Sequence, residues 1–332
     1  MKRSQSGASR LLFVLSSLAL VVVVFAAFAF WALQHSSPPK PALSGGIEPG
    51  ELQYDGRSRS WIAYLPAQLA PHPALVIVLH GSMGSGDQAR ADTFGYDFDL
   101  LADHHGFIAV YPQGYDGEWN DAKVQGPFAA KRENVDDVGF LQSLVQRFMK
   151  DHDADPTRVY VTGISNGGSM VLRLALQTPE FARAYAVVSA SVPTPGNLAI
   201  TPTARAVSIL LMNGTDDPIN PWDGGDVVLW PVLPSRGPVR SVRASVDYFR
   251  GLAGLSGEPL VTRFPDLDPS DDCTVERSSW SEPGKHSVTQ LVIVGGGHIA
   301  PHPARRGMRL LGHSNRDIHA ADEIWAFFES AP

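Results

Sequence analysis

The stretch Arg158-Val-Tyr-Val-Thr-Gly-Ile-Ser165-Asn-Gly167 decides the fold, because an apolar strand runs directly into a Gly-x-Ser-x-Gly pentapeptide. A helical segment follows and extends to about Gln177. In this setting of strand, sharp turn and helix, the motif lifts the serine hydroxyl above the edge of a sheet. The backbone at such a serine is strained, and glycines two residues before and after it leave the necessary space. Ser165 is therefore the candidate nucleophile.

Apolar strands and amphipathic helices alternate along the rest of the chain. Strands are predicted at 58–64, 74–79, 107–111, 158–162, 185–189, 207–212 and 290–294, and helices at 134–150, 165–177, 239–251 and 318–330. Continuous apolar runs such as Ala74–Leu79 are typical of strands buried on both faces of a sheet. The alternation predicts an α/β fold with a mostly parallel central sheet and helices on both faces.

Two further side chains are candidates to activate the serine. A serine hydroxyl needs a base, and histidine titrates close to neutral pH. His298 follows the last predicted strand in a glycine-rich turn, and Asp216 and Asp217 follow the strand that ends near residue 212. The spacing alone leaves both aspartates open as the acid. The order Ser165, aspartate, His298 is the order of the α/β-hydrolase fold.

The loop after the predicted strand 74–79 supplies the next candidates. In this fold the oxyanion hole takes one backbone N–H after the nucleophile and one from this early loop, which points to Asn166 and Ser82. Trp119 and Trp222 lie in polar loops, where an aromatic ring can stack on an aromatic acyl group or a sugar. They are candidate substrate contacts, with packing beneath the loop as the alternative.

Composition limits the partners and cofactors of the chain. The 332 residues are 44% apolar and 18% charged, as in a globular protein with a core. The net charge of −7, without a dense basic cluster, argues against nucleic acid and gives no attraction to an anionic membrane. We expect no metal and no cofactor, since no zinc signature or phosphate-binding loop is present. The single cysteine, Cys273, is interpreted as a small apolar residue.

The amino terminus predicts export from the cytoplasm. Lys2, Arg3 and Arg10 precede an uncharged apolar run to Leu33 that is long enough to cross a bilayer. Residues 1–33 are therefore a membrane anchor or a signal peptide, for which Ala27-Phe-Ala29 offers a cleavage site. Residues 34–46 are expected to be a linker and residues 47–332 the catalytic domain. Membrane contact is expected through the N-terminal segment only, with the domain in the cell envelope or secreted.

Five segments, in order, resemble the secreted polyhydroxybutyrate-depolymerase and feruloyl-esterase type of hydrolase, in the first carbohydrate-esterase family. They are Leu79-His-Gly81, Asn134-Val-Asp-Asp-Val-Gly-Phe140, Gly163-Ile-Ser-Asn-Gly-Gly168, Gly214-Thr-Asp-Asp-Pro218 with Gly224-Gly225, and Gly295-Gly-Gly-His298. The resemblance implies an α/β-hydrolase that cleaves esters, with Ser165, Asp217 and His298 as its triad. Asp217, the residue before proline, is the acid by the family pattern.

The chain also departs from that family. The family often has Thr-Trp-Pro after the histidine, where this chain has Ile299-Ala300-Pro301, and a tyrosine where it has Trp222. We therefore predict a serine hydrolase of carboxylic esters, of the feruloyl or acetyl type or of hydroxyalkanoate oligomers. The residues leave two alternatives open: an acyltransferase of the same fold, and a non-catalytic binding protein of the cell envelope.

Overall fold

The computed structural model describes residues 5–229 and 234–332. Its strands are β1 (Gly46–Tyr54), β2 (Arg57–Leu65), β3 (Leu75–Leu79), β4 (Ile108–Pro112), β5 (Val159–Ile164), β6 (Ala184–Val188), β7 (Ser208–Gly214), β8 (Gly225–Asp226), β9 (Pro238–Val239), β10 (Leu260–Arg263), β11 (Thr274–Trp280) and β12 (Val288–Val294). Its α-helices are α1 (Gln5–Leu33), α2 (Gly86–Gln88), α3 (Asp97–His105), α4 (Ala129–Arg132), α5 (Asp137–His152), α6 (Asn166–Gln177), α7 (Val242–Ala253) and α8 (Ala320–Ser330).

Ten of these strands form one sheet in the order β1-β2-β4-β3-β5-β6-β7-β12-β11-β10. The six strands from β4 to β12 in that order pair in parallel, and the pairs at both flanks are antiparallel. The carboxyl ends of the parallel strands therefore share one edge, where open α/β sheets carry their sites. The mostly parallel α/β fold predicted from the sequence is confirmed.

A core lies on each face of the sheet. On one face α5, α6 and α7 pack against β3, β5 and β7 through residues such as Leu144, Leu172 and Phe249. On the other face α3 and α8 supply Phe98, Ile324 and Trp325. Asp136 begins α5 by accepting a hydrogen bond from the Gly139 N–H at 3.0 Å, which caps the first turn of the helix.

The structure adds elements that the sequence analysis did not find. Strand β1 is largely exposed, β10 has only four residues, and β11 is mostly half-buried, so none of the three shows the continuous apolar run that marks the central strands. Helix α3 was missed as well; it begins after Tyr96, whose left-handed backbone replaces an ordinary N-cap. The predicted bounds of the central strands and of the helices α5 to α8 agree with the observed ones within about three residues.

The apolar N-terminal helix α1 contains a stretch, Phe13–Leu33, that is long and apolar enough to cross a membrane. Except at its end, where Ala32 is buried, this stretch is not packed inside the protein as a core helix would be. The expected linker behind it is not free. Ser44 donates from its N–H and hydroxyl to Asp103 at 2.8 and 2.6 Å, and Leu43 packs against the core. Residues 34–46 therefore follow the surface of the domain, because short polar side chains and a leucine fasten them there.

Candidate active site

Ser165 occupies the sharp turn between β5 and α6, with φ 58° and ψ −117°. Glycine is required on both sides of Ser165, because a side chain there would collide with nearby backbone atoms. A Cβ at Gly163 would lie 2.7 Å from the carbonyl carbon of Gly167, and one at Gly167 would lie 2.4 Å from the Leu79 carbonyl oxygen. Both distances are shorter than side chains tolerate. The serine thus adopts a strained, left-handed backbone that its neighbours hold in place, and it is only half-buried.

Asp217 and His298 lie side by side at the same edge of the sheet. The His298 Nδ1–H donates to Asp217 Oδ2 at 2.7 Å. The other carboxylate oxygen, Oδ1, accepts the N–H groups of Ile219 and Asn220, both at 2.8 Å. Asp216 is exposed and accepts the hydroxyl of the residue before it. The structure therefore brings Asp217, and not Asp216, against the imidazole.

The second nitrogen of His298 is left for another group. His298 Nε2 is buried and has no hydrogen-bond partner among the described residues. Ser165 follows β5, Asp217 follows β7 and His298 follows β12, so the three stand along one edge with β6 between the first two. The Ser165–His298 hydrogen bond is unformed in this structure; such bonds are often long without substrate and tighten in the complex.

The loop that carries Ser82 lies directly over the nucleophile. A Cβ at Gly81 would lie 3.5 Å from the Cβ of Ser165. His80 fastens the loop: its Nδ1–H donates to the Gly81 carbonyl at 2.7 Å, and its Nε2 accepts the Gly114 N–H at 2.9 Å. Burial lowers the pKa of His80 to about 4, so this imidazole is neutral near pH 7 and acts as a brace.

Trp119 lies beneath this loop. Its indole N–H donates to the His80 carbonyl at 3.0 Å, and its backbone N–H donates to Asn166 Oδ1 at 2.7 Å. The side chain is 0% exposed. A ring without accessible surface cannot stack on substrate, so the substrate contact predicted from the sequence does not fit this structure. The alternative reading, packing beneath the loop, is the one observed.

Asn166 is anchored by a buried ionic cluster that the sequence analysis missed. Its Nδ2 donates to Asp121 Oδ2 at 2.9 Å. Asp121 also forms ion pairs with Lys123 at 2.6 Å and Lys131 at 3.1 Å. Burial alone would raise the pKa of Asp121, but the two ammonium groups outweigh it and hold this pKa well below its usual range. The cluster therefore stays ionised and fixes the residue after the nucleophile.

A second buried pair supports Ser82. Arg236 donates to the Ser82 hydroxyl and lies 3.6 Å from Glu118 Oε1, which also accepts the Met83 N–H at 3.2 Å. Burial raises the pKa of Glu118 and lowers that of Arg236. Glu118 precedes Trp119 in a loop that the sequence analysis singled out only for its tryptophan. The signal available for Glu118 in the sequence was a carboxylate next to a tryptophan, but its partner, Arg236, is distant in sequence.

Two further residues were singled out in the sequence, Trp222 and Cys273. Trp222 is half-buried, and its carbonyl accepts the Val242 N–H at the start of α7; its substrate contact stays a prediction. Cys273 is buried, and burial raises its thiol pKa to about 12, which makes it unreactive.

One cluster of possible metal ligands occurs among the described residues: Asp97, His302 and His319. His302 Nδ1 accepts the Ala304 N–H at 3.0 Å, so its Nε2 carries the proton and faces Asp97 at 3.5 Å. A ligating histidine usually donates from its second nitrogen, and this one accepts there. The group is better described as a carboxylate that accepts a hydrogen bond from His319 Nδ1 at 3.0 Å and faces His302, which joins α3 to the segment after His298.

Residues 59–248 match the family model described as Esterase PHB depolymerase. The chain belongs to this family. The matched range contains Ser165 and Asp217 and ends before His298. Membership makes the protein a carboxylic ester hydrolase and confirms the family resemblance found in the sequence motifs.

Individual relatives of this esterase point the same way. It is 26% identical to a putative esterase, NocK, of Nocardia uniformis subsp. tsuyamanensis, over 85% of this chain and 83% of the relative. It is 31% identical to a probable acetylxylan esterase A of Neosartorya fischeri, over 50% of this chain and only 46% of the relative. Among solved structures, the acetyl xylan esterase of Aspergillus awamori is similar, with 16% identity, a TM-score of 0.54, and coverage of 89% of this chain and 99% of that one. At that identity the last comparison supports the fold alone.

Proposed function

We propose that this esterase works through an acyl-enzyme on Ser165, with His298 as base and Asp217 as the acid that orients the base. One observation carries the proposal. His298 donates from Nδ1 to Asp217 at 2.7 Å, its buried Nε2 has no partner among the described residues, and Ser165 stands in a strained turn at the same edge of the sheet. A neutral imidazole held in this tautomer has its basic nitrogen free to take a proton.

In the first half of the reaction, the Ser165 oxygen attacks the ester carbonyl while His298 Nε2 accepts the hydroxyl proton. The N–H groups of Asn166 and Ser82 donate to the oxyanion that forms. The tetrahedral intermediate collapses by breaking the carbon–oxygen bond to the alcohol, which leaves with the proton from Nε2. Asp217 stabilises the imidazolium between these two transfers without taking up the proton.

In the second half, water replaces the alcohol. Nε2 removes a proton from the water as its oxygen attacks the acyl carbon, and the same two N–H groups hold the second oxyanion. Collapse releases the carboxylic acid and returns the proton to the Ser165 oxygen. The buried clusters around Asp121 and Glu118 move no proton in this scheme. They keep the two oxyanion donors in place before the substrate arrives, which is the largest electrostatic contribution to this kind of catalysis.

The proposed substrates are acetyl or feruloyl esters of sugars, or hydroxyalkanoate oligomers. Relatives named acetylxylan esterase and feruloyl esterase B support this range. Trp222 is the proposed contact for an aromatic or sugar group. We also propose that α1 remains as an uncleaved anchor and that the catalytic domain lies outside the cytoplasm, in keeping with the length of its apolar run.

The test compares wild-type protein, Ser165→Ala and Ser278→Ala on p-nitrophenyl esters of increasing acyl length and on a feruloyl ester. Ser278 is a half-buried serine of β11 and serves as the matched control. We expect Ser165→Ala to lose on the order of 10^4-fold or more in kcat. A fluorophosphonate probe should label the wild type and the control, but not Ser165→Ala. Full activity of Ser165→Ala would contradict the mechanism.

A further inference from the structure

The end of the membrane helix is fastened to one surface segment of the catalytic domain. Ser36 and Arg306 exchange two backbone hydrogen bonds, at 2.9 and 3.1 Å. The Arg309 guanidinium lies 5.0 Å from the centre of the Trp31 ring, within reach of a cation–π interaction. Ala32, the next residue of the helix, is only 4% exposed. Residues 305–313, called here the docking segment, therefore meet α1 where it would leave the membrane.

The same docking segment holds the loop of the proposed catalytic base. The backbone N–H of His298 donates to the Leu311 carbonyl at 2.6 Å, and that of Gly297 donates to the His313 carbonyl at 2.9 Å. A Cβ at Gly297 would lie 2.0 Å from the Leu311 carbonyl oxygen, which shows how closely the two segments approach. The end of α1 and the His298 loop are thus the two neighbours of one short segment.

The exposed side chains of the docking segment suit the surface of a bilayer. Arg306 and Arg309 are exposed, and neither forms an ion pair with a described residue, whereas nearby His313 and Arg316 face Asp272 and Asp268. Met308, between the two arginines, is 37% exposed. Unpaired arginines, an exposed apolar side chain and a tryptophan at the end of a membrane helix are the groups that occupy the headgroup region.

We propose that the docking segment is a second membrane contact, in which Arg306 and Arg309 bind phospholipid phosphates and Met308 enters the headgroup layer. The inference rests on the proposed function, in which α1 stays in the membrane. It changes the expectation that only the N-terminal segment touches the bilayer, because a local pair of unpaired arginines acts at short range despite the net negative charge. The edge that carries His298 then faces the membrane, and esters held at the bilayer surface reach it directly.

The test measures the depth of residue 308 in the full-length protein. Met308→Cys is labelled with an environment-sensitive fluorophore; the native Cys273 is buried and its thiol pKa is raised, so it does not compete. The labelled chain is reconstituted in vesicles of phosphatidylcholine with phosphatidylglycerol that contain nitroxide-labelled lipid. Leu260→Cys is the control, because Leu260 is 74% exposed and begins β10 at the opposite edge of the sheet.

We expect strong quenching at residue 308 and little at residue 260. Arg306→Gln with Arg309→Gln should reduce the quenching at 308, because the equilibrium constant for docking falls by about fivefold for each arginine removed. Turnover of a soluble p-nitrophenyl ester, measured on the same samples, should not change, which separates this proposal from the catalytic one. Equal quenching at 308 and 260 would overturn the second contact, and so would a mature protein from cells that begins at or after residue 30, behind the Ala27-Phe-Ala29 site.

Discussion

The two sides of the proposed active site, the oxyanion side and the base side, are held in different ways. On the oxyanion side, buried charged side chains support Ser82 and Asn166 from beneath: Asp121 with two lysines, and Glu118 with Arg236. On the base side, the His298 loop depends on backbone hydrogen bonds to the docking segment and on a single carboxylate.

The two kinds of support suit the different demands that catalysis makes on the oxyanion donors and on the imidazole. Oxyanion donors must stand within a few tenths of an ångström of a charge that appears only in the transition state, and buried ions can hold them so rigidly. The imidazole must instead shift slightly between the serine and the leaving group. Main-chain bonds hold its loop while leaving the ring bound through one atom pair. Substitutions should therefore damage the two sides differently.

Among substitutions outside the nucleophile itself, the largest effect is expected from Asp217→Asn on the base side. The N–H groups of Ile219 and Asn220 would keep the amide oxygen at the Oδ1 position, so the amide NH₂ would face His298. Nδ1 must then accept, Nε2 carries the proton, and the histidine cannot act as base. We expect kcat/KM to fall by about 10^3 to 10^4, with the fold intact. Asp216→Asn is the control and should keep wild-type kcat/KM; a larger loss in that variant would contradict the assignment.

Asp121→Asn on the oxyanion side is expected to have a smaller effect on catalysis and to reduce stability as well. It leaves Lys123 buried without its closest carboxylate, which should lower the free energy of unfolding by about 3–5 kcal/mol. It also loosens Asn166, so kcat should fall by about 10- to 100-fold with KM nearly unchanged. Urea unfolding measures the free energy of unfolding, and steady-state kinetics measure kcat and KM.

The matched control for Asp121→Asn is Asp99→Asn. Asp99 is equally buried and pairs with Arg90 at 2.6 Å, but it lies in α3 on the other face of the sheet. It should lose comparable stability while keeping kcat. If both variants lose kcat equally, the Asp121 cluster has no special role in positioning the oxyanion donor.

His80 predicts how the oxyanion loop responds to acid. Its pKa is lowered from 6.5 to about 4 in the folded protein, so the unfolded chain binds its proton first. Its contribution to stability is complete above about pH 6.5 and is lost as the pH falls through about 4, by up to about 3 kcal/mol. The free energy of unfolding, measured with urea at pH 7 and at pH 4.5, should fall more between these two pH values in wild type than in His80→Gln. An equal fall in both proteins would contradict the argument that burial lowers this pKa.

The smallest effect is expected from Trp119→Phe. The His80 carbonyl loses its indole donor, which should reduce stability by about 1–3 kcal/mol and kcat a few-fold. Because the ring is buried, KM should shift equally for aromatic and aliphatic esters. Trp222→Phe is the companion variant and should raise KM selectively for aromatic esters. A selective rise in Trp119→Phe would restore that residue as a substrate contact.

The sequence predicted those features that depend on residues close together in the chain. The turn at Ser165 needs two glycines at fixed offsets, and the loop of His298 directly follows an apolar strand. The choice of Asp217 over Asp216 needed the family resemblance, since it depends on which carboxylate turns toward an imidazole 81 positions away. Strands β10 and β11 escaped prediction because β10 is a short, exposed edge strand and β11 is mostly half-buried, so neither carries a continuous apolar run.

The misplaced role of Trp119 and the missed ionic clusters share a physical reason. Trp119 is buried because Asn166 and the His80 carbonyl converge on it from distant parts of the chain. Arg236 reaches Glu118 across more than a hundred residues. Local patterns predict which side chains are polar or aromatic, but long-range contacts decide which of them lie beneath a loop and which lie above it.

Strand order has a consequence for biogenesis. β12 is the last strand along the polypeptide, yet it lies inside the sheet, between β7 and β11. A nascent chain that already contains Ser165 and Asp217 lacks both the imidazole and the strand that joins the far flank to the rest. If the proposed triad is correct, chemical competence therefore arrives only after His298 has been synthesised, and translation products that stop before it are expected to be inert.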